Sequence, residues 1–289
     1  MATVYRPPAE ADSYILRIAD GCPNNSCAFC GMYKGRPYHE MDATAVESEI
    51  RKAGIAYPFI KRVFLADGDA MFLSYERLVN VAQQLNLSLP NLTRISLYAN
   101  SISLCGKSLE ELKTLKSLKL ATAYLGLESG SDQVLALQHK RDRAEDAVKA
   151  AYLARESGIR LSVMALIGAG GRLLSSSHVL ETARVLNIMQ PPLLSLLTLI
   201  PVPGTPLQGL IKSGDFVPLN KAEVLMELRE ILARFELKST VFRCNHTSNP
   251  LPLEGRLPKD KERLIATIDA MLKSCDPDDE EVWAEPWML

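Results

Sequence analysis

Short apolar segments alternate along the chain with longer amphipathic segments. The apolar segments are mostly uninterrupted, as strands buried on both faces should be, and they lie at residues 14–18, 62–65, 94–98, 121–127, 160–167 and 194–199. The amphipathic segments repeat apolar residues at helical spacing, which predicts helices over residues 43–53, 75–85, 108–115, 144–156 and 178–189. The chain therefore consists of repeated strand–helix units.

Strand–helix units in succession predict an α/β fold, with a parallel sheet, helices outside it and right-handed crossovers. The periodicity leaves open whether the sheet closes as a partial barrel or opens as a doubly wound sheet. A proline-rich loop begins at Pro201, and it is followed by a helix (221–235), a β-like run (239–243), a polar loop to Gly255 and a helix (about 259–273). We expect a core over residues 1–210 and an extension over residues 211–289 that caps it.

Composition and charge are those of an ordinary globular protein. Hydrophobic residues make up 47% and charged residues 23% of the chain, which excludes a disordered protein. The net charge of −1 does not favour a protein whose main task is to bind nucleic acid. Without a signal-peptide pattern or an apolar run of about 20 residues, a cytoplasmic protein without a membrane partner is expected. The acidic run at 276–281 predicts a solvated tail, and the sequence leaves open whether Trp283 and Trp287 fold back.

Three of the six cysteines, Cys22, Cys27 and Cys30, lie on one short loop directly after the first predicted strand. Parallel α/β folds bind their ligands at the carboxyl ends of strands. Three thiolates without a fourth cysteine leave one coordination position open, as in an iron–sulfur cluster with one iron free to bind a ligand. Two alternatives stay open: a zinc site completed by His39, and a redox pair of Cys27 and Cys30.

This loop resembles the cluster-binding signature of the radical S-adenosylmethionine (SAM) superfamily, in the branch of oxygen-independent coproporphyrinogen oxidase. The usual spacing there is C-x3-C-x2-C, whereas this chain has C-x4-C-x2-C, with Phe29 in the position of the family's aromatic residue. The resemblance covers about residues 13–210. It implies a partial (β/α)6 barrel of TIM-like type with a C-terminal helical extension. It also implies one 4Fe–4S cluster, held by Cys22, Cys27 and Cys30, and SAM as the second cofactor.

Further segments at strand ends resemble the SAM-binding segments of the same family. Residues 66–70 match its Gly-Gly-Glu-Pro segment in part, with Asp69 in the place of the glutamate. Residues 126–132 resemble the ribose-binding segment, followed by a basic residue for the SAM carboxylate, and residues 166–171 resemble the adenine loop; residues 203–206 are also typical. The resemblance implies these SAM-binding residues: Phe29, Asp67, Gly68, Asp69, Asn100, Glu128, Ser129, Gly130, Lys140 (or Arg141), Ile167 and Gly168. Each segment taken alone is also an ordinary turn or helix cap.

Polar residues near other strand ends are the candidates to act on a substrate: Tyr98, Arg172, His178, Arg243 and His246. His178 stands in a predicted helix, where a histidine is more typically solvent-facing than catalytic. Arg243 and His246 belong to a polar run, residues 242–249, which either lines a substrate pocket or forms a turn of side-chain-to-backbone bonds.

The resemblance implies a radical SAM enzyme that cleaves SAM reductively and abstracts hydrogen from an unidentified substrate. We expect a small molecule or a peptide as substrate, and an electron donor such as flavodoxin or ferredoxin. One alternative is a tRNA-modifying radical SAM enzyme with a basic patch of Arg141, Arg143 and Lys149. The other is a zinc- or iron–sulfur-binding protein without SAM cleavage.

Overall fold

The structure of the protein is a computed structural model that describes residues 4–275. The predicted tail at 276–281, Trp283 and Trp287 lie outside the described residues. The strands are β1 (Tyr14–Arg17), β2 (Ala19–Asp20), β3 (His39–Glu40), β4 (Arg62–Ala66), β5 (Arg94–Ala99), β6 (Leu120–Glu128), β7 (Arg160–Ile167), β8 (Leu193–Thr198), β9 (Thr240–Cys244) and β10 (Leu253–Leu257).

The helices alternate with these strands, as the amphipathic pattern predicted. They are α1 (Ala43–Ala56), α2 (Tyr75–Ser88), α3 (Ser101–Cys105), α4 (Leu109–Ser117), α5 (Asp132–Leu137), α6 (Ala144–Ser157), α7 (Gly171–Met189), α8 (Pro206–Ser213), α9 (Lys221–Ala233) and α10 (Lys261–Leu272). Two short 3-10 helices cover Pro8–Glu10 and Ala70–Phe72. Within residues 4–275, no helix combines the length and the apolar character needed to cross a membrane.

The first of two compact units comprises the residues up to Asn25, Met32–Leu125 and Lys149–Leu161. In it β1, β4, β5 and β6 are neighbours in this order, and all are parallel. Helix α2 begins where the Ser74 hydroxyl accepts a hydrogen bond from the backbone amide of Arg77. Its buried residues recur at helical spacing, so that the apolar face of the helix packs on the core while the other face meets water.

The second unit comprises Ser26–Gly31, Gly126–Val148 and the chain from Ser162 onward. In it β7, β8 and β9 are parallel neighbours, and β10 pairs antiparallel with β9. The predicted α/β class with parallel strands is confirmed. The expected polar loop is present over residues 245–252, but it ends before Gly255, because Leu253–Leu257 form β10, whose buried ends Leu253 and Leu257 become apparent only beside β9. The C-terminal extension therefore adds strands as well as helices.

Candidate functional site

The cysteine loop begins directly after β2 and is closed by backbone contacts. Gly21 has a φ of +78°, and a β-carbon there would lie 2.8 Å from the carbonyl oxygen of Arg36 and 3.0 Å from that of Pro37. The Asn25 amide donates to the carbonyl oxygens of Tyr33 at 2.6 Å and of Arg36 at 3.0 Å. The glycine is thus required by both conformation and space, and the loop has a defined base.

The three cysteines of this loop are not joined in disulfides; Cys27 is buried, while Cys22 and Cys30 are partly exposed. His39, the alternative fourth ligand, is exposed on β3. Among residues 4–275, no group of three histidine, cysteine, aspartate or glutamate side chains is gathered as a preformed metal site. Thiolate binding and local ordering are coupled, so a bound metal centre gathers such ligands itself. The donor set, three thiols on one loop, fits a 4Fe–4S cluster that keeps one iron for another ligand.

The second half of the loop is anchored in the second unit through Ala28. Its amide donates to the carbonyl of Gln138 at 2.8 Å, and its carbonyl accepts from the amide of Leu207 at 3.0 Å. Ala28 also belongs to a buried apolar cluster that includes Leu207, and Phe29 packs against this cluster. The short segment between Cys27 and Cys30 is therefore fixed on both sides by backbone hydrogen bonds and apolar packing.

Asp67 follows β4 directly and is fully buried. It accepts hydrogen bonds from the Tyr33 hydroxyl at 3.0 Å and from Arg36 at 3.2 Å, and Arg17 lies 3.4 Å away. Burial raises the pKa of Asp67, and the Tyr33 hydrogen bond and the two arginines oppose that rise. Arg36 also pairs with Asp20. In this arrangement Asp67 engages the protein's own groups and fastens the cysteine loop to the ends of β2 and β4.

The next two residues connect the same segment to the cysteines. Gly68 has a φ of +28°, and a β-carbon there would lie 2.3 Å from the Gly21 carbonyl oxygen and 2.8 Å from Cys22 Cα. Asp69 is buried and accepts a hydrogen bond from the Ser103 hydroxyl at 2.9 Å. The segment after β4 is therefore packed on the backbone of the cysteine loop, with a carboxylate beside it.

Lys107 is a residue of this region that the sequence analysis missed. It is buried, and its ammonium donates to the Met71 carbonyl at 3.1 Å. Burial lowers the pKa of Lys107, and the charge of Asp69 opposes that change. Asn100, predicted to bind cofactor, is the N-cap of α3, where its side chain accepts from the Ser103 amide at 2.7 Å. No local sequence signal marks Lys107, because its side chain bonds to Met71, 36 residues earlier in the chain.

Tyr98 belongs to an aromatic cluster of the first unit. Its ring meets Phe64 edge-on at 5.1 Å and Tyr124 at 6.2 Å between ring centroids. Burial raises the pKa of Tyr98, so its hydroxyl stays protonated at neutral pH. Its predicted role in substrate chemistry stays a prediction.

Glu128 and Lys140, both predicted to bind SAM, form a pair in the second unit. Lys140 Nζ lies 3.7 Å from Glu128 Oε1 and donates to the Gly126 carbonyl at 2.7 Å; the two side chains are 7% and 14% exposed. Burial raises the pKa of Glu128, and Lys140 opposes that rise. A β-carbon at Gly126 would lie 2.2 Å from Glu128 Oε1, so the carboxylate is folded back over Gly126 and would have to move if a side chain were added there.

The segment after β6 packs on α7. The Ser129 hydroxyl lies 2.8 Å from His178 Nδ1, and the Gly130 amide donates to the Thr182 hydroxyl at 2.9 Å. A β-carbon at Gly130 would lie 2.3 Å from the Glu181 carbonyl oxygen, so the close approach needs a glycine. His178 is fully buried, and the expectation of a solvent-facing histidine is wrong, because α7 turns this side chain toward the segment after β6.

The loop after β7 is held by a residue that the sequence analysis missed, Glu227 on α9. Gly168 has a φ of +83° and follows the buried Ile167; its amide donates to Glu227 Oε1 at 2.6 Å. The Ser175 hydroxyl donates to the other carboxylate oxygen. Burial raises the pKa of Glu227 to about 7 and lowers that of His178, 3.6 Å away, to about 4. A glutamate in an amphipathic helix gave no sign of this role.

The remaining substrate candidates lie near the surface or in turns. Arg172 is half exposed and pairs with Glu223 at 2.9 Å, and Arg243 is exposed on β9. His246 Nδ1 lies 2.9 Å from the Ser248 hydroxyl, and burial lowers the pKa of His246. Ser248 and Asn249 of the same run bond to Thr198 and Leu196 of β8, and the role of residues 242–249 toward a substrate stays a prediction.

The basic residues of the proposed tRNA patch are exposed: Arg141, Arg143 and Lys149. Arg143 lies 3.6 Å from Asp132 and 3.4 Å from Glu145. These carboxylates offset part of the positive charge, which weakens the attraction for a phosphate backbone.

The fold and the loop together define an α/β protein with a three-cysteine, cluster-type loop after its first parallel strand. The family model of the radical SAM superfamily matches residues 16–183, more than half of the chain, and the protein therefore belongs to the radical SAM superfamily. No curated protein matches the sequence. The family prediction is confirmed, and the protein is an enzyme whose cofactors are those of this family, a 4Fe–4S cluster and SAM.

Solved structures, among them radical SAM enzymes, share the fold at low sequence identity. Coproporphyrinogen III oxidase (HemN) from Escherichia coli has a TM-score of 0.58 and 15% identity, over 77% of this chain and 52% of that chain. The anSMEcpe structure with bound AdoMet and a peptide has a TM-score of 0.56 and 14% identity, over 76% of this chain and 59% of that chain. The methyltransferase TsrM from Kitasatospora setae, with cobalamin and a [4Fe-4S] cluster, has a TM-score of 0.55 and 18% identity, over 67% of this chain and 38% of that chain. This chain thus spans between 38% and 59% of these proteins, and the likeness confirms the partial-barrel fold.

Proposed function

We propose that this enzyme cleaves SAM reductively and abstracts a hydrogen atom from a small molecule or a peptide. The observation that carries the proposal is the cysteine loop, with three thiols on one segment whose surroundings fix it at both ends. When bound, the cluster and SAM would supply one-electron reductive cleavage of a sulfur–carbon bond of SAM, with the electron coming from an external donor such as flavodoxin or ferredoxin.

In this proposal the thiolates of Cys22, Cys27 and Cys30 hold the cluster. Asp67 and Tyr33 orient the loop from one side through their hydrogen bond. The backbone bonds of Ala28 and the packing of Phe29 orient it from the other side. A loop held in this way loses less conformational entropy when it binds a cluster.

The chemistry of the strand-end residues suits the polar groups of SAM. The Asp69 carboxylate suits the ammonium group, Glu128 suits the ribose hydroxyls and Lys140 suits the carboxylate. Ile167 and Gly168 are proposed to pack beside the adenine, where Ile167 is buried and the Gly168 amide is held by Glu227. The same carboxylates and lysine lie in largely buried surroundings, where charge-assisted hydrogen bonds are strong.

A small or peptide substrate agrees with the net charge of −1 and with the partly neutralised patch around Arg143. The anSMEcpe structure holds a peptide, which makes a peptide a reasonable first substrate class to test. Residues 211–289 are proposed to cap the barrel, and Tyr98, Arg172, Arg243 and His246 to contact substrate. An electron donor such as flavodoxin or ferredoxin, and a cytoplasmic location, complete the proposal.

The test is anaerobic reconstitution with iron and sulfide, followed by reduction with SAM and measurement of 5′-deoxyadenosine. We expect the wild type to bind about four irons and to form 5′-deoxyadenosine. Cys27→Ala should lose both, whereas Cys105→Ala, a cysteine outside the loop, should keep both. A wild type with a full cluster that forms no 5′-deoxyadenosine would overturn the proposal. Zinc near one per chain without sulfide would instead favour the zinc-protein alternative.

A further inference from the structure

We propose that Glu227 and His178 are positioning residues for SAM, forming a buried polar connection that fixes Gly168 after β7 and Ser129 after β6. This inference rests on the proposed function, which assigns the loops of Gly168 and Ser129 to SAM. Glu227 lies on α9, outside residues 16–183 that match the family, so the inference concerns a feature of this chain's own extension.

The first half of the connection fixes the loop after β7. The backbone amide of Gly168 donates to Glu227 Oε1 at 2.6 Å, a short bond to a charged acceptor. Gly168 has a φ of +83°, a backbone conformation that few other residues adopt. The hydrogen bond to the carboxylate holds the flexible glycine backbone with its amide pointing toward Glu227. The Ser175 hydroxyl holds the second carboxylate oxygen, so the carboxylate itself is oriented from α7.

The second half fixes the segment after β6. The Ser129 hydroxyl lies 2.8 Å from His178 Nδ1 and accepts a hydrogen bond from the Ser131 amide at 3.0 Å. The Ser129 hydroxyl has one hydrogen and a second lone pair, so it bonds to Nδ1 as donor or as acceptor, and the Thr182 hydroxyl lies 3.3 Å from the same nitrogen. Nε2 lies 3.6 Å from Glu227 Oε1, so the two halves are neighbours within the second unit without a direct hydrogen bond between them.

A carboxylate in this position is costly to the fold. Glu227 is buried, and its hydrogen-bonding neighbours are one amide and one hydroxyl. A cavity of about 310 Å³ beside it is lined by two arginines, but Arg172 pairs with Glu223 and Arg234 pairs with Glu230. A buried charge without a cationic partner is generally less stable than an apolar side chain of the same size. A positioning role accounts for a carboxylate here.

The connection also gives SAM binding a pH dependence. Burial raises the pKa of Glu227 to about 7, and the bonds from Ser175 and Gly168 limit that rise. Burial lowers the pKa of His178 to about 4, so this ring is neutral near pH 7. The charged groups that line the cavity beside Glu227, on α7 and α9, are Arg172, Glu223, Glu230 and Arg234. Because the charged carboxylate binds the Gly168 amide more strongly, SAM affinity should rise as the pH rises through about 7.

The test uses the reconstituted holoenzyme and the variants Glu227→Leu, Glu227→Gln and the control Glu230→Gln, a half-exposed carboxylate on the same helix. Equilibrium dialysis with labelled SAM gives the affinity, and iron and sulfide analysis gives the cluster content. We expect Glu227→Leu to weaken SAM binding about tenfold or more at full cluster content, since it removes hydrogen bonds to a charged group. Its KM for SAM should rise more than its kcat falls. Glu230→Gln should bind SAM as the wild type does.

Glu227→Gln keeps the shape and both hydrogen bonds, so it should bind SAM near neutral pH within about threefold of the wild type. Its affinity should lack the wild-type rise between about pH 6 and about pH 8. A Glu227→Leu variant with a full cluster and wild-type affinity would overturn the inference. If that variant does not fold, identical pH profiles for the wild type and Glu227→Gln would overturn it. A wild type that holds a cluster but binds no SAM would contradict the proposed function instead.

Discussion

Gly68 is seated on the backbone of Cys22: a β-carbon at Gly68 would lie 2.8 Å from both Cα and Cβ of the cysteine. The Gly68 amide also donates to the hydroxyl of Tyr33 at 3.0 Å, and the same hydroxyl donates to Asp67. The turn after β4 is therefore packed on the part of the cysteine loop that contains Gly21 and Cys22. A change in the turn is expected to reach Cys22 directly.

Gly68→Ala should reduce cluster incorporation strongly, because the new methyl group has no room against backbone atoms of Gly21 and Cys22. Gly35→Ala is the matched control: Gly35 lies in the same loop at a φ of +75°, but nothing lies within 4 Å of its β-carbon position. The control should lose roughly 1–2 kcal/mol of stability from backbone strain and keep its cluster. Iron and sulfide content after reconstitution measures both. Equal incorporation by the two variants would contradict the seating of Gly68 on Cys22.

Tyr33→Phe should destabilise the cysteine loop. It removes the donor to Asp67 and the acceptor of the Gly68 amide, which leaves buried polar groups unsatisfied at a cost of about 1–3 kcal/mol. Tyr14→Phe is the comparison, since it removes a tyrosine–carboxylate bond to Glu49 in an exposed position. Urea unfolding of the apoprotein and the rate of iron loss to a chelator measure the effect. A Tyr33→Phe protein as stable as Tyr14→Phe would argue against this anchor.

Lys140→Met should destabilise the apoprotein increasingly as the pH rises above the ordinary glutamate pKa of 4.5. The folded-state pKa of Glu128 is already raised by burial, and removal of Lys140 raises it further, so the ionised form is penalised more in the folded state. The loss should reach about 3 kcal/mol at neutral pH, because one partner of a largely buried pair is missing. Lys113→Met, in an exposed pair with Glu110, should show little pH-dependent loss. A pH-independent loss in Lys140→Met would indicate that only its hydrogen bond to Gly126 matters.

His178 and Glu227 should have opposite effects on the pH dependence of folding. The lowered pKa of His178 makes stability rise with pH between about 4 and 6.5, because the unfolded state binds the proton in that range. The raised pKa of Glu227 makes stability fall with pH between 4.5 and about 7, because there the folded state keeps the proton. Each contribution is roughly 3 kcal/mol in total.

Relative to the wild type, Glu227→Gln should therefore gain stability as the pH rises from 4.5 to about 7. His178→Asn should lose relative stability as the pH rises from about 4 to 6.5. Urea unfolding of the apoproteins at a series of pH values measures both slopes. If the free energy of unfolding of both variants depended on pH as it does in the wild type, neither group would be buried with a shifted pKa.

The hydrophobic pattern was sufficient to locate the parallel strands, and β7 matches its predicted bounds, residues 160–167. Long buried strands carry their own signal, because most of their residues are apolar; β7 departs from this only at Arg160 and Ser162. Helix α7 begins at Gly171, seven residues before the predicted start at His178, since a glycine pair resembles a loop. The short strands β2, β3 and β10 were missed, because each is stabilised by its partner strand and not by its own residues.

At the site, the spacing of Cys22, Cys27 and Cys30 and the glycines near strand ends were visible in the sequence. In the structure, some residues that were predicted to bind cofactor bond to the protein itself. Asp67, expected beside the cofactor, is held by Tyr33 and Arg36, and Asn100 caps α3. The contacts of Asp67 are with side chains that are distant in sequence, so no local sequence pattern could predict them.

The sequence by itself determined the α/β class, the three-thiol loop and the family, because these depend on local periodicity and on spacing within one short segment. Only the tertiary structure decided that Glu227 on α9 binds the Gly168 amide and that His178 is buried against Ser129. Such pairs join residues 49 and 59 positions apart. Their burial and their pKa values arise from packing, and packing exists only once the chain has folded.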